Sequence, residues 1–205
     1  MHIIITCTET QQLQWLSHFT NSKERFTFKN NYANGDEADA YFYLLNSSPP
    51  FPLPTHLPVF INSQSILLSQ LPNNCVRLNA WEGFLENTAW EISASALMLP
   101  QVTLLLLALN KPFIQVPDIV GFVSSRAIAM IINEAYFALA EGVSNKQSID
   151  IAMKLGTNYP YGPFEWCNKI GLQNVVTLLQ ALQANDDLYT PCPLMLQELS
   201  NTPCP

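Results

Sequence analysis

The sequence predicts an α/β sheet domain over residues 1–117, an all-helical domain over 118–185 and a proline-rich tail over 186–205. Three observations carry this. Short β-branched and aromatic runs recur through the first half, with a helical stripe after the first of them. From Gly121 onward, apolar residues recur at helical spacing almost without a break. The 205 residues are 48% apolar and only 12% charged, enough apolar side chains to bury a sizeable core. Disorder over most of the length is excluded on the same ground.

The elements follow in order. Ile3-Ile4-Ile5-Thr6 is a β-branched run that reads as a buried strand. Residues 9–19 carry Leu13, Leu16 and Phe19 at roughly helical spacing. Residues 25–29 alternate, with Phe26 and Phe28 on one face, as a strand does. Asn34-Gly35-Asp36 is a turn signal, and residues 40–45 form another apolar strand. The run Asn46-Ser47-Ser48-Pro49-Pro50-Phe51-Pro52-Leu53-Pro54 can be neither helix nor central strand, because proline fixes φ and removes N–H donors. Residues 58–61, 76–78 and 90–92 are further strands, so the pattern is that of an α/β sheet. Pro100 stands where a helix begins, and Val102, Leu105, Leu106 and Leu109 continue one face. A short strand over 113–116 is closed by Pro117-Asp118.

In the second half, Ile128, Ile131, Ile132, Ala135 and Leu139 form one helical stripe, which Gly142 ends. Ser144 or Asn145 caps the next helix, with Ile149, Ala152, Met153 and Leu155. Tyr159-Pro160-Tyr161-Gly162-Pro163 is a rigid bend, followed by helices over 164–170 and 172–184. The tail, with Pro191, Pro193, Pro203 and Pro205, reads as extended or frayed.

Charge and composition exclude several classes of function. Net charge is −7, and the nine Lys and Arg residues form no run, so the basic stripe that tracks a phosphate backbone is missing and nucleic acid is not an expected partner. The densest apolar stretch, residues 102–109, is much shorter than the roughly 20 residues a membrane crossing needs. The first residues carry no basic segment and no cleavage-like site, so a soluble cytoplasmic protein is expected. Cys7, Cys75, Cys167, Cys192 and Cys204 form no CxxC pair and are expected to be free thiols. His2, His18 and His56 match no metal-ligand spacing.

The segment Val116-Pro117-Asp118-Ile119-Val120-Gly121-Phe122-Val123, with Arg126 and then Asn133-Glu134-Ala135, resembles the start of the C-terminal domain of L-3-hydroxyacyl-CoA dehydrogenases. Glu141-Gly142-Val143, Ile149-Asp150, Ala152-Met153-Lys154-Leu155-Gly156, Tyr159-Pro160-Tyr161-Gly162-Pro163-Phe164-Glu165 and Gly171-Leu172 continue that family's motifs in order over roughly residues 112–183. The resemblance implies an all-helical domain that forms a homodimer interface and one wall of an acyl-CoA cleft, in a family linked to fatty-acid metabolism. It also implies a Rossmann-like sheet domain in the first half, with NAD as the family's cofactor. Each motif residue has a structural use as well, so the resemblance speaks for fold and oligomer before it speaks for activity.

The first half departs from the family. A dinucleotide fold carries G-x-G-x-x-G after its first strand, so that the backbone can approach the pyrophosphate at a helix N-terminus. Here the first strand is followed by Cys7-Thr8-Glu9-Thr10-Gln11, and the first glycine of the chain is Gly35. The second strand ends in Lys29-Asn30 where the family has an acidic residue for the ribose. Residues 30–39 leave no room for a long helical crossover. The fold expected is therefore an abridged Rossmann-like sheet, with no cofactor.

The resemblance extends through the active-site region. Asn62-Ser63-Gln64-Ser65 resembles the family's S-N-T-S-S segment, and its substrate-contacting serine falls on Gln64. Val76-Arg77-Leu78-Asn79-Ala80-Trp81 stands at the family's G-x-H-F-F-N-P motif, and the catalytic histidine falls on Asn79. The glutamate that orients that histidine falls on Glu91, and the asparagine of G-F-x-x-N-R falls on Ser125. Oxidising a secondary alcohol needs a base near neutral pKa and a hydride acceptor, and Asn79 takes no proton. The sequence thus points to a 3-hydroxyacyl-CoA dehydrogenase-like protein without the classical reaction, a dimer binding an acyl-CoA-like ligand. The alternative is an active NAD-dependent oxidoreductase using a non-standard site. A third reading is one piece of a multi-chain assembly.

Overall fold

The computed structural model describes residues 1–20, 23–33, 36–49 and 52–201. Asn34 and Gly35 of the expected turn, Pro50 and Phe51 of the proline-rich run, and Pro203, Cys204 and Pro205 of the tail lie outside the described residues. The chain forms two compact units, Met1–Phe122 and Val123–Pro205. The division follows Phe122, a few residues beyond the 117/118 boundary expected from the sequence.

The first unit is a seven-stranded sheet in the order β2-β1-β3-β4-β5-β6-β7. Its strands are β1 (His2–Thr6), β2 (Arg25–Phe28), β3 (Ala40–Tyr43), β4 (Val59–Asn62), β5 (Cys75–Leu78), β6 (Trp90–Ala94) and β7 (Phe113–Gln115). All neighbours run parallel except β5 and β6. Helices α1 (Glu9–His18) and α2 (Leu99–Ala108) follow β1 and β6. This is the Rossmann-like α/β sheet the sequence predicts.

Strands β3, β4 and β5 are buried at every position, as expected of a parallel sheet covered on both faces. The two-residue side-chain period divides them. Ile3, Ile5, Phe42, Phe60, Val76 and Leu78 pack with Trp15 and Phe19 of the α1 segment and Val102, Leu105 and Leu106 of α2. Ile4, Tyr41, Tyr43, Val59, Ile61 and Cys75 point to the other face, where Leu53, Leu57 and Leu71 cover them from irregular segments. Neither α1 nor α2 contributes a residue to that cluster. The loops that cover that face have their polar groups satisfied by side chains. Asn74 Nδ2 donates to the carbonyls of Pro54 and Leu57, both at 2.7 Å, and the Tyr32 hydroxyl donates to the Asp36 carbonyl at 2.7 Å.

On the helical face, Trp15 packs against Phe42 at 5.0 Å and Trp90 at 5.5 Å between ring centroids. The ammonium of Lys111 lies 4.9 Å from the Trp90 ring. It donates to the Asn87 carbonyl at 2.5 Å and His18 Nε2 at 3.0 Å. Lys111 is 2% exposed, and burial pushes it down to about 8. Burial, and then the Lys111 charge, push His18 down as well.

The second unit holds α3 (Val123–Ala140), α4 (Lys146–Thr157), α5 (Pro163–Ile170), α6 (Leu172–Gln183) and α7 (Pro193–Asn201). Gly142, at φ 72°, ends the chain segment of α3. Its N–H donates to Leu139 and that of Val143 to Ala138, which is the Schellman pattern. Of the two capping candidates before α4, Asn145 acts, its side chain accepting from Ser148 N at 2.9 Å. Asp150 of α4 caps a different helix: its Oδ1 accepts from Phe164 N at 2.8 Å, at the start of α5. This places a carboxylate where the helix dipole favours it.

The tail departs from expectation. Residues 187–189 form a 3-10 turn, and α7 runs over Pro193–Asn201 in place of an extended strand. Proline is compatible with the first turn of a helix, and Pro193 is the first residue of α7. Cys192 and Met195 are fully buried. Asn133 holds the segment, donating to the Thr190 carbonyl at 2.9 Å and accepting from Cys192 N at 2.8 Å. Glu198 accepts from the Tyr136 hydroxyl and from Lys146, both at 2.8 Å. No helix among the described residues is long and apolar enough to cross a membrane.

Two predictions follow from the packing. A β-carbon on Gly162 would lie 2.5 Å from the Asp150 Cα, a contact that neither backbone can relieve alone. Gly162→Ala is expected to cost about 3 kcal/mol in urea unfolding. Lys111 titrates in the folded state well below its unfolded value, so the unfolded chain binds more protons between those two values. Its contribution therefore opposes folding most below about pH 8 and is relieved as pH rises toward the ordinary lysine value. The stability advantage of Lys111→Met over wild type is expected to shrink by roughly 1–3 kcal/mol across that window, measured by urea unfolding at each pH.

Candidate functional site

Strands β3, β4 and β5 are parallel, so their last residues share one edge of the sheet, and β6, antiparallel to β5, begins there. That edge is where α/β sheets bind ligands. Asn62 is the last residue of β4, Gln64 follows it, Asn79 follows β5 and Glu91 is the second residue of β6. Three of the four positions singled out from the sequence, Gln64, Asn79 and Glu91, are therefore brought together.

Their side chains form one directed chain. Gln64 Nε2 donates to Asn79 Oδ1 at 3.1 Å, and Asn79 Nδ2 donates to Glu91 Oε2 at 2.9 Å. The Asn79 N–H also donates to the Glu91 carbonyl at 3.0 Å, which keeps the two residues side by side. Gln64 and Asn79 are buried, while Glu91 is half-buried. Ser125 belongs to the helical unit, where it sits fully buried in the first turn of α3.

Three residues without a role in the sequence reading complete this edge. Asn62 donates to the Leu44 carbonyl at 3.0 Å and to Asn46 Oδ1 at 2.7 Å. Its own Oδ1 accepts from Ala80 N at 3.0 Å. Gln11 is 2% exposed. It is the third residue of α1, and its side chain reaches the Leu44 carbonyl at 2.8 Å and the Ala80 carbonyl at 2.9 Å. Thr8 and Gln11 also form a reciprocal cap: Thr8 Oγ1 accepts from Gln11 N at 3.1 Å and Gln11 Oε1 accepts from Thr8 N at 3.0 Å. A T-x-x-Q spacing before a helix is legible as a capping box, whereas its reach to two other strand ends is not.

The third is Arg77, on β5 and 0% exposed. It donates to Asp118 Oδ1 at 2.7 Å, to the Ile119 carbonyl at 2.9 Å and to the Gln64 carbonyl at 3.2 Å. Asp118 Oδ2 in turn accepts from Leu68 N at 2.9 Å, and the Gln64 carbonyl accepts from Gly121 N at 2.6 Å. Burial pulls the guanidinium below its ordinary value, and Asp118 opposes that pull. Arg77 thus fastens the loop carrying Gln64 to residues 118–121. A lone arginine inside the apolar run Cys75-Val76-Arg77-Leu78 was the available signal, since charged residues are rarely fully buried without a partner.

The arrangement can donate and accept hydrogen bonds but contains no imidazole or thiol. Cys7, Cys75, Cys167 and Cys192 are free thiols. Burial pushes Cys7 up to about 11 and Cys75 up to about 12, the reverse of what activates a nucleophile. Among the described residues, no cluster of three or more His, Cys, Asp or Glu side chains could hold a metal ion.

Arg77→Met keeps much of the side-chain length but leaves the Asp118 carboxylate without its cation and removes a donor from the carbonyls of Ser63, Gln64 and Ile119. The expected loss is about 3 kcal/mol in urea unfolding, with Arg77→Lys recovering only part of it, because an ammonium cannot reproduce the guanidinium fork.

Comparison with known proteins supplies the remaining findings. Residues 121–202 match the family described as 3-hydroxyacyl-CoA dehydrogenase, C-terminal domain. Over 90 residues the chain is 46% identical to the 3-hydroxyadipyl-CoA dehydrogenase of Escherichia coli (strain K12), covering 43% of this chain and 19% of that protein. Over 89 residues it is 39% identical to the probable 3-hydroxybutyryl-CoA dehydrogenase of Bacillus subtilis (strain 168), covering 42% of this chain and 31% of that protein. The chain thus spans less than a third of the length of these two relatives in sequence. The crystal structure of (S)-3-hydroxybutyryl-CoA dehydrogenase from Ralstonia eutropha matches 98% of this chain and 93% of its own, with a TM-score of 0.70 and 18% identity, a likeness of fold.

Proposed function

We propose that this chain, whose residues 121–202 match the family described as 3-hydroxyacyl-CoA dehydrogenase, C-terminal domain, is a cytoplasmic, homodimeric member of that family that binds an acyl-CoA-like ligand and does not carry out NAD-linked oxidation of a 3-hydroxyacyl-CoA. The observation that carries this is the Gln64–Asn79–Glu91 chain. Asn79 spends its Nδ2 donor on Glu91 and its Oδ1 acceptor on Gln64. An amide there orients and binds; it does not accept the proton that leaves a hydroxyl. Loss of a general base alone typically costs about 10²–10⁴-fold in rate. In this reading Gln64, Asn79 and Glu91 occupy the family's site positions as binding groups.

The turn between β1 and α1 does not fit a dinucleotide. Thr8 and Glu9 place side chains where the backbone of a pyrophosphate site must approach closely, and the Gln11 N–H is already bonded to Thr8 Oγ1. The proposed dimer is supported by apolar side chains that the helical unit leaves in solvent: Val143, Ile151 and Leu155 are 70%, 47% and 83% exposed. One observation favours the alternative of an active oxidoreductase, namely that the relatives matched at 46% and 39% identity are named as dehydrogenases.

The test is a titration of the purified protein with NAD, NADH and acetoacetyl-CoA, followed by thermal unfolding, NADH fluorescence and NADH absorbance. Acetoacetyl-CoA at about a hundredfold excess over its Kd is expected to raise the Tm by roughly 5 °C or more, with both dinucleotides silent. NADH consumption in the presence of acetoacetyl-CoA would establish the oxidoreductase in its place.

A further inference from the structure

We infer that Gln11 is a built-in occupant of the sheet's anion-binding end, a side chain that closes the β1–α1 turn to phosphate and staples the ends of β1, β3 and β5 together. The inference goes beyond the reading above and stands on the hydrogen bonds of the β1–α1 turn alone.

In an α/β sheet, the N–H groups at the start of the helix after β1 are the natural seat for a phosphate. Here two N–H groups of that turn already have side-chain partners. The Gln11 backbone N–H is satisfied by Thr8 Oγ1, and the Thr8 N–H by Gln11 Oε1. Both hydrogens of Gln11 Nε2 are committed, one to the carbonyl of Leu44 beyond β3 and one to that of Ala80 beyond β5. Asn62, at the end of the intervening β4, binds the same Leu44 carbonyl and the Ala80 N–H. One neutral amide thus links the helix start to two strand ends, and the next amide links those two ends to each other.

The chemistry selects against an anion in two ways. A phosphate entering here would have to break the Thr8–Gln11 pair. It would then face the carbonyl oxygens of Leu44 and Ala80, whose dipoles present negative charge. Only a donor is accommodated between those two oxygens, and Gln11 supplies both N–H groups needed.

A plain helix-capping role makes a different prediction, and Gln11→Glu separates the two. Glutamate serves as well as glutamine at the third position of a capping box, and a negative charge there favours the helix. Capping alone therefore predicts an unchanged or slightly raised Tm. The staple predicts a fall of roughly 5–10 °C at about pH 7, because a carboxylate oxygen meets two carbonyl oxygens. The folded-state pKa of that carboxyl would be raised above its unfolded value. The loss would then be full above the folded pKa and would diminish as pH falls through it toward about 5. Gln11→Met, which keeps length without hydrogen bonds, is expected to lower the Tm with no such pH dependence.

A second measurement needs no variant. In wild-type protein with ¹⁵N-labelled glutamine side chains, the Gln11 NH₂ pair is expected to be protected from solvent exchange and unmoved by millimolar pyrophosphate or NADH. A stable Gln11→Glu protein, or a Gln11 pair that exchanges freely or shifts with pyrophosphate, overturns the inference even if NADH oxidation is absent. NADH consumption with an unmoved Gln11 pair overturns the proposed function and leaves this inference standing.

Discussion

A mostly parallel sheet has no face to give to water, and in this chain that constraint is met asymmetrically. One face of the seven strands is covered by α1 and α2 through Trp15, Val102, Leu105 and Leu106. The other is covered by loop residues such as Leu53, Leu57 and Leu71. Loops bring unpaired backbone groups with them, and a buried unpaired carbonyl costs about 1–3 kcal/mol. The polar side chains of this unit answer that demand. Asn74 closes the proline-rich segment on itself. Thr6 and Tyr41 share a buried hydrogen bond of 2.8 Å beneath the loops, and Arg77 serves the carbonyls of Gln64 and Ile119 at once.

The same demand shapes the carboxyl edge of the sheet. There Gln11 and Asn62 bond the backbone of Leu44 and Ala80, and Gln64 and Asn79 carry a further run of hydrogen bonds to Glu91. Such a network of linked amides is rigid, and the amides themselves neither take up nor release a proton.

The motifs of the helical unit prove to be devices of assembly. Asn133 ties the segment before α7 to α3 with a donor and an acceptor from one amide. Asp150 caps α5 from α4, and Gly162 is small because the Asp150 backbone lies against it. Gly142 supplies the positive φ that ends the α3 segment. Each of these residues thus has a structural task within 121–202. They also account for a likeness at the level of the domain while the sheet unit follows its own solution.

The element sequence and the two-part organisation were legible because both depend on local signals. β-branched runs mark strands, the 3.6-residue stripe through Ile128, Ile132 and Ala135 marks α3, and Gly142 and Asn145 mark helix ends. The Asn79–Glu91 pairing was legible through resemblance, because a fixed spacing across the β5–β6 hairpin carries it. The helix in the tail was not, since a proline-rich stretch reads as extended or frayed until Asn133 and the core around Cys192 and Met195 are in place to hold it. Nor was the role of Gln11 or Arg77. Each makes its decisive bonds to residues far along the chain, Leu44, Ala80 and Asp118, and only the folded sheet sets those distances. The sequence alone determined which segments become strands and helices and that no basic stripe or glycine-rich loop is present. Tertiary structure decided which polar side chains meet at the sheet's edge and whether they are spent on one another, because hydrogen bonds between distant strand ends have no local signature.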